Sequence, residues 1–117
     1  MTSRYAKIAM TLALAAFAFM VTFNNITDYG SNFAFVQHVF SMDTTFEGNS
    51  AMYRAITTPA FWHAGYWLII AGEGLTFVLF LLGGLKMLGA RNGSAAEFNA
   101  SKKLMIAGAT IGFLVWF

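Results

Sequence analysis

The chain has 117 residues, of which 58% are hydrophobic and 10% are charged, and its formal net charge is +2. Soluble domains carry about 25% charged residues, so this composition excludes an ordinary water-soluble fold and predicts one small membrane domain. The absence of cysteine excludes disulfides, thiolate metal sites and thiol catalysis. The basic residues flank hydrophobic segments and form no patch, which argues against a nucleic-acid partner.

The first hydrophobic segment, residues 8–23, follows a short basic start. The same arrangement occurs in secretory signal peptides, and the alanines of this segment offer possible cleavage sites. We interpret the segment as a retained transmembrane helix over residues 5–24, because an apolar helix of about 20 residues crosses a bilayer.

Residues 25–58 are predicted to form a loop on the outer face, with a short amphipathic helix over 33–42. The polar residues of this helix share one stripe: Gln37, His38 and Ser41. Turn and capping residues flank it at 28–31 and 43–45. Such a helix lies in the headgroup region or packs on the transmembrane helices.

The second hydrophobic segment predicts a transmembrane helix over 59–88, because Thr58 and Pro59 suit a helix start. A polar loop is expected over 89–101. The third segment, 102–117, is too short for a full crossing, and we expect it to be a truncated third helix. The fold class is therefore all-α, a polytopic transmembrane protein.

The distribution of basic residues predicts the orientation of these helices. Six of the seven Lys and Arg residues lie at the N-terminus or between Lys86 and Lys103, and only Arg54 lies in the long loop. The positive-inside rule then places the N-terminus in the cytoplasm and residues 25–58 on the outer face of a bacterial inner membrane.

Glu73 lies near the middle of the second hydrophobic segment, where a charged side chain costs about 2.5 to 3.5 kcal/mol on insertion scales. Such a residue faces protein, water or a partner rather than lipid. Helical spacing places it in one sector with six other residues: Trp62, Tyr66, Ile69, Thr76, Phe80 and Gly84. Two interpretations stay open, a hydrogen bond that joins this helix to a neighbour and a proton or cation site.

His63 lies at the start of the same helix, near the outer interface, too far along the axis to pair directly with Glu73. It is a weak candidate for a quinone headgroup or a haem. An interfacial histidine within an aromatic belt is the simpler interpretation. No metal site is predicted, since the spacing of His38, Asp43 and Glu47 matches no ligand pattern.

Glycines are frequent in the last two hydrophobic segments, where they predict close helix packing. The candidate packing positions are Gly72, Gly74, Gly83, Gly84, Gly108 and Gly112. They suggest more helix contact than three short helices supply to one another. Partner helices, from a larger complex or from other copies of the chain, are therefore expected.

Three stretches resemble a bacterial family of unknown function, described as predicted small integral membrane proteins. They are NNITDYGSNF from Asn24, SMDTTF from Ser41 and WHAGYWLIIAGE from Trp62. The resemblance implies an inner-membrane protein of four helices, so a fourth helix is expected beyond this sequence. It implies no activity.

Three functional hypotheses remain, and the absence of a catalytic motif favours the non-enzymatic ones. The first is an accessory or scaffold subunit of a larger membrane assembly, with a respiratory or electron-transfer complex as its host by analogy. The second is a homo-oligomeric proton- or cation-coupled transporter or channel that uses Glu73. The third is a quinone-binding protein or membrane enzyme that uses His63. Lipid is the expected ligand, and no cofactor is predicted.

Overall fold

The computed structural model describes all 117 residues, which form helices and no β-strand. The helices are α1 (Thr2–Thr27), α2 (Tyr29–Ser41), α3 (Pro59–Gly89), α4 (Ala95–Ala100) and α5 (Lys103–Trp116), with a 3-10 turn at Met52–Arg54. The predicted all-α class is confirmed. By length and composition, α1 and α3 can each cross a membrane, whereas the 14 residues of α5 reach only about 21 Å.

α3 is the central helix, and α1 and α5 each pack against it in the antiparallel direction. Ile8 of α1 lies against Met87 near the end of α3, and Asn25 meets the middle of α3. α5 runs from the end of α3 back to its middle, where Val115 faces Gly72. The three helices therefore form an open layer rather than a closed bundle.

Small residues at spacings of three and four form the face that α1 turns to α3. The buried residues of that face are Ile8, Thr11, Ala15 and Ala18. The buried face of α3 follows the same spacing through Tyr66, Glu73, Thr76, Phe80, Gly83, Gly84 and Met87. This period brings two helices together at a shallow angle, and small side chains allow a close approach.

The glycines expected to need partner helices are matched by neighbours within the chain. A Cβ at Gly83 would lie 2.6 Å from the backbone nitrogen of Met105, and one at Gly84 would lie 2.5 Å from Leu12. The others face residues of the same chain: Gly72 faces Val115, Gly74 faces Thr22, Gly108 faces Phe80 and Gly112 faces Thr76. These glycines alone therefore do not require another protein.

α2 starts earlier than the sequence predicts. Of the predicted turn and capping residues 28–31, Asp28 is the N-cap of α2, whereas residues 29–31 belong to the helix. Only Asp28 leaves the helical conformation, at φ −117° and ψ 53°. Its N–H still donates to the Asn24 carbonyl, and its own carbonyl accepts from the Asn32 N–H. Because the hydrogen bonds continue across Asp28, α1 extends to Thr27 and α2 follows without a loop.

The stretch 89–101, expected to be a loop, contains the short helix α4. Its start is a capping box, in which Ser94 N–H donates to the Glu97 carboxylate (2.6 Å) and Glu97 N–H donates to the Ser94 hydroxyl oxygen (3.2 Å). The hydrogen bond from the Ser94 backbone N–H is the main reason why the pKa of Glu97 lies below its ordinary value, and the hydrogen bond with the Ser94 side chain is the second reason. The S-x-x-E spacing is the sequence signal for this helix.

Phe98 of α4 closes the end of the layer where most basic residues lie. Its ring is 4% exposed and packs with Ile8 and Met87. Arg4 donates to the Arg91 carbonyl (2.9 Å), which ties α1 to the chain that follows α3. We call this region, formed by the start of α1, the end of α3, α4 and the start of α5, the basic end.

Candidate functional site: a buried carboxylate between two membrane helices

Glu73 is buried at the seam of α1 and α3, with 4% of its surface exposed. The side-chain amide of Asn25 donates to Glu73 Oε2 at 2.7 Å. The hydroxyl of Tyr66 donates to the backbone carbonyl of Asn25, also at 2.7 Å. One residue of α1 is therefore held by two residues of α3, and together they form what we call the Asn25 cluster: Asn25, Tyr66 and Glu73.

Helical spacing explains why these three residues meet. Asn25 lies seven residues after Ala18, on the same small-residue face of α1. Tyr66 and Glu73 are also seven residues apart, on the buried face of α3. Gly74, the next residue, faces Thr22 of α1, so the two helices are in contact beside Glu73. The carboxylate therefore reaches the amide directly.

Thr76, the third polar residue predicted for this site, is not part of the Asn25 cluster. Its hydroxyl donates to the Gly72 carbonyl of its own helix at 2.8 Å. Its methyl group faces Gly112 of α5. Thr76 is therefore satisfied within α3, and it serves the contact with α5 rather than the carboxylate.

His63 lies in an aromatic group nearer the start of α3. Its Nδ1 is 2.9 Å from the Tyr29 hydroxyl, and its ring stacks on Phe33 with centroids 4.2 Å apart. The ring of Tyr29 meets Tyr66 edge-on at 4.6 Å. The histidine is thus linked to the Asn25 cluster by ring contacts, and no hydrogen bond joins the two groups.

Between Glu73 and the basic end, the buried side of α3 is mostly apolar. It consists of Thr76, Phe80, Gly83, Gly84 and Met87, and the Thr76 hydroxyl is bonded within its own helix. On α1, the Thr11 hydroxyl donates to the Lys7 carbonyl of its own helix at 2.8 Å. No series of polar side chains therefore leads from Glu73 to the basic end within one copy of the chain. The second carboxylate oxygen, Oε1, has no hydrogen-bond partner in the chain.

A groove opens between α1 and α5 on the surface of α3. It has a volume of about 430 Å³ and is lined by ten residues, eight of them hydrophobic. Thr76 and Phe80 of α3 belong to its lining, together with Phe17 of α1 and Trp116 of α5. The two aromatic rings approach each other with centroids 5.9 Å apart. We call this feature the α1–α5 groove.

Asn25 and Tyr29 are not among the residues predicted from the sequence. The predicted first helix ends at residue 24 and turn residues are predicted at 28–31, so neither residue belongs to a predicted helix face. The signal was present, because Asn25 continues the spacing of Thr11, Ala15 and Ala18 along α1. A buried carboxylate in a membrane helix also requires a partner, and an amide on that face supplies one.

A family of predicted small integral membrane proteins matches this chain over residues 3–117. The match covers the two long apolar helices, the Asn25 cluster and the basic end. No curated protein and no solved structure matches the chain.

Proposed function

We propose that this chain, which belongs to the family of predicted small integral membrane proteins (DUF2165), is an accessory or scaffold subunit of a larger membrane assembly in the bacterial inner membrane. The α1–α5 groove carries this proposal. Its floor and walls are apolar, and they belong to three different helices. A respiratory or electron-transfer complex is the host that we favour by analogy, since such complexes contain many small subunits without cofactors.

The groove suits a transmembrane helix of a partner subunit. Helices pack by placing a ridge of side chains into a groove of the neighbouring surface. Here α3 provides the floor, and Phe17 and Trp116 provide large side chains at the rims. Phe17 is 53% exposed within these 117 residues, and a partner helix seated in the groove would cover it. Tryptophan and phenylalanine are common anchors of protein interfaces.

Glu73 has a structural role in this proposal. It is paired with Asn25 inside the chain, and interhelical hydrogen bonds of this kind contribute about 0.6 kcal/mol on average in membranes. The pair fixes how α1 sits on α3, and these two helices provide one wall and the floor of the groove. In this proposal, the Glu73 carboxylate therefore stabilises the helix arrangement that forms the groove.

One observation favours a second candidate, a homo-oligomeric proton- or cation-coupled transporter. Glu73 Oε1 has no partner in the chain, and symmetry-related copies would have to complete a path to it. The quinone-binding alternative has less support, because His63 is already engaged by the Tyr29 hydroxyl and the Phe33 ring.

Site-specific photocrosslinking tests the groove. We expect benzoyl-phenylalanine in place of Phe17 to crosslink, in native membranes, to one unrelated membrane polypeptide that also co-purifies in a fixed ratio. The matched control is the same probe in place of Ala16, which is exposed and lies about 100° round α1. We expect at least about fivefold less adduct from the control, because at that angle the probe points away from the groove.

The products of this experiment separate the two candidates. Adducts between two copies of this chain would contradict the accessory role and favour the homo-oligomer. Equal adducts from positions 17 and 16 would show that the groove is not the contact surface. Lipid adducts alone would remove the partner helix from the proposal.

The proposed orientation is testable by cysteine labelling, because the chain has no cysteine of its own. We expect Glu47→Cys to react with a membrane-impermeant maleimide in intact spheroplasts. We expect Asn92→Cys, at the basic end, to react only after the membrane is opened, since positive residues remain cytoplasmic. Both positions are exposed, so access to the reagent depends on the side of the membrane. The reverse pattern would contradict the orientation.

A further inference from the structure

A cleft at the basic end is lined by three positively charged residues and by no acidic residue. It lies between the first turns of α1 and the α4–α5 junction, with a volume of about 560 Å³. Its lining includes Arg4, Lys7 and Lys102, together with the polar side chains of Ser3 and Asn99. We call it the basic cleft.

No carboxylate of the chain neutralises these cations. The acidic Asp43 is 2.7 Å from His38 Nδ1 at the end of α2, which lies at the other end of the molecule. Glu97 is the acidic residue of the same short helix, but it does not line the cleft, and its carboxylate accepts from the Ser94 N–H. A concave surface with charges of one sign concentrates the field on a ligand of the opposite sign.

Two of the three cations are held in place on a buried aromatic ring. The Arg4 guanidinium lies 5.0 Å from the centre of the Phe98 ring, and the Lys102 ammonium lies 5.4 Å from it. Arg4 also donates from Nη1 to the carbonyls of Arg91 and Gly93, which leaves its other guanidinium nitrogens free. Lys102 donates to the Asn99 side chain at 3.0 Å. Ordering before binding lowers the entropic cost of taking a ligand.

The position of the cleft indicates the kind of anion. Lys7 is followed directly by the apolar run from Ile8, and the Lys102–Lys103 pair is followed by the apolar run of α5. The charges therefore lie where hydrocarbon gives way to water, at the level of lipid headgroups. An anion bound there by its phosphate can leave acyl chains against the apolar parts of α1 and α5.

We propose that the basic cleft binds the phosphate group of an anionic phospholipid. Lys7 and Lys102 would contact the phosphate oxygens, and Arg4 would form the inner wall with its free guanidinium nitrogens. Lysine and arginine are the side chains that commonly bind phosphate. A free inorganic phosphate presents the same oxygens, so the experiment must separate these two sources.

Lipid binding to the purified full chain tests the proposal. Native mass spectrometry in mild detergent would compare added phosphatidylglycerol with phosphatidylcholine, and inorganic phosphate would be added as a competitor. We expect the chain to prefer phosphatidylglycerol. Each lysine near an anionic lipid surface accounts for about fivefold in affinity, so Lys7→Gln with Lys102→Gln should weaken phosphatidylglycerol binding by about 30-fold.

Two further variants control for general electrostatics and for folding. Lys86→Gln with Lys103→Gln removes the same charge from exposed positions of the same end that do not line the cleft. It should change the affinity by less than about threefold, because these charges act on a phosphate in the cleft only over a longer distance that salt screens. Lys7→Arg with Lys102→Arg keeps the charge and should retain binding.

Four results would decide the matter. Equal losses in the two glutamine variants, or equal binding of the two lipids, would overturn the proposal. Loss of binding in the arginine variant would contradict a site based on positive charge. Displacement of the lipid by inorganic phosphate at low millimolar concentration would support the anion site but overturn the lipid as its occupant.

Discussion

Alanine at position 83 is expected to force α5 away from α3 and to destabilise the chain by about 1–3 kcal/mol, the usual cost of overpacking. The added Cβ of Gly83→Ala would lie 2.6 Å from the backbone nitrogen of Met105 and 3.1 Å from its Cα. A backbone cannot rotate out of the way as a long side chain can, so the whole helix must shift. The free energy of unfolding in detergent, from a titration with a denaturing detergent, measures this cost.

Gly74→Ala is the matched control for this prediction, because it makes the same change in the same helix. Its Cβ would meet Thr22 at 3.6 Å, an ordinary van der Waals contact. Alanine also favours a helix over glycine by up to about 1 kcal/mol, so this variant should be neutral or more stable. Similar stabilities for the two variants would contradict the close packing of the α5 backbone against Gly83.

Loss of the Glu73 side chain is expected to destabilise the seam of α1 and α3 by about 1–2 kcal/mol, the cost of leaving the half-buried amide of Asn25 unpaired. In Glu73→Leu, the Asn25 amide loses its acceptor. In Glu73→Gln, an amide oxygen can still accept from Asn25, so we expect a loss below about 0.5 kcal/mol. The same unfolding titration compares the two variants.

A double-mutant cycle with Asn25→Leu isolates the pair. If the hydrogen bond accounts for the loss, Glu73→Leu combined with Asn25→Leu should be less destabilising than the sum of the two single changes. Additive effects would show that Asn25 and Glu73 are not coupled. Glu73→Gln also distinguishes the functions, because a proton-coupled transporter would lose transport in this variant while its stability persisted.

Much of the fold could be predicted because the hydrophobic runs are long and their flanks are basic. The positions of α1 and α3 follow from the bilayer's demand for about 20 apolar residues. The short helices were harder, since α4 has only six residues, and hydrophobic length gives no signal for it. The capping box from Ser94 to Glu97 is a local sequence signal for this helix, and the length of the hydrophobic segments gives no information about it.

Only the α3 residues of the candidate site could be predicted from the sequence. The cost of a carboxylate in lipid identifies Glu73, and the helical period identifies Tyr66 as a residue of the same face. Applied to α3, neither argument selects Asn25; it is selected only once α1 is extended past residue 24, because the contact depends on how far α1 extends and on its register against α3. The α1–α5 groove was not predictable at all, since it exists only once three helices have taken their places.

The single non-helical residue at Asp28 has a mechanical consequence. Asn25 and Tyr29 lie one turn apart on either side of it, and each is bonded to α3, through Glu73 and His63 respectively. Because hydrogen bonds continue across Asp28, α1 and α2 form one bent helical segment that is bonded to α3 at two points. We therefore expect a tilt of α2 to shift Asn25 and, with it, the hydrogen bond to Glu73.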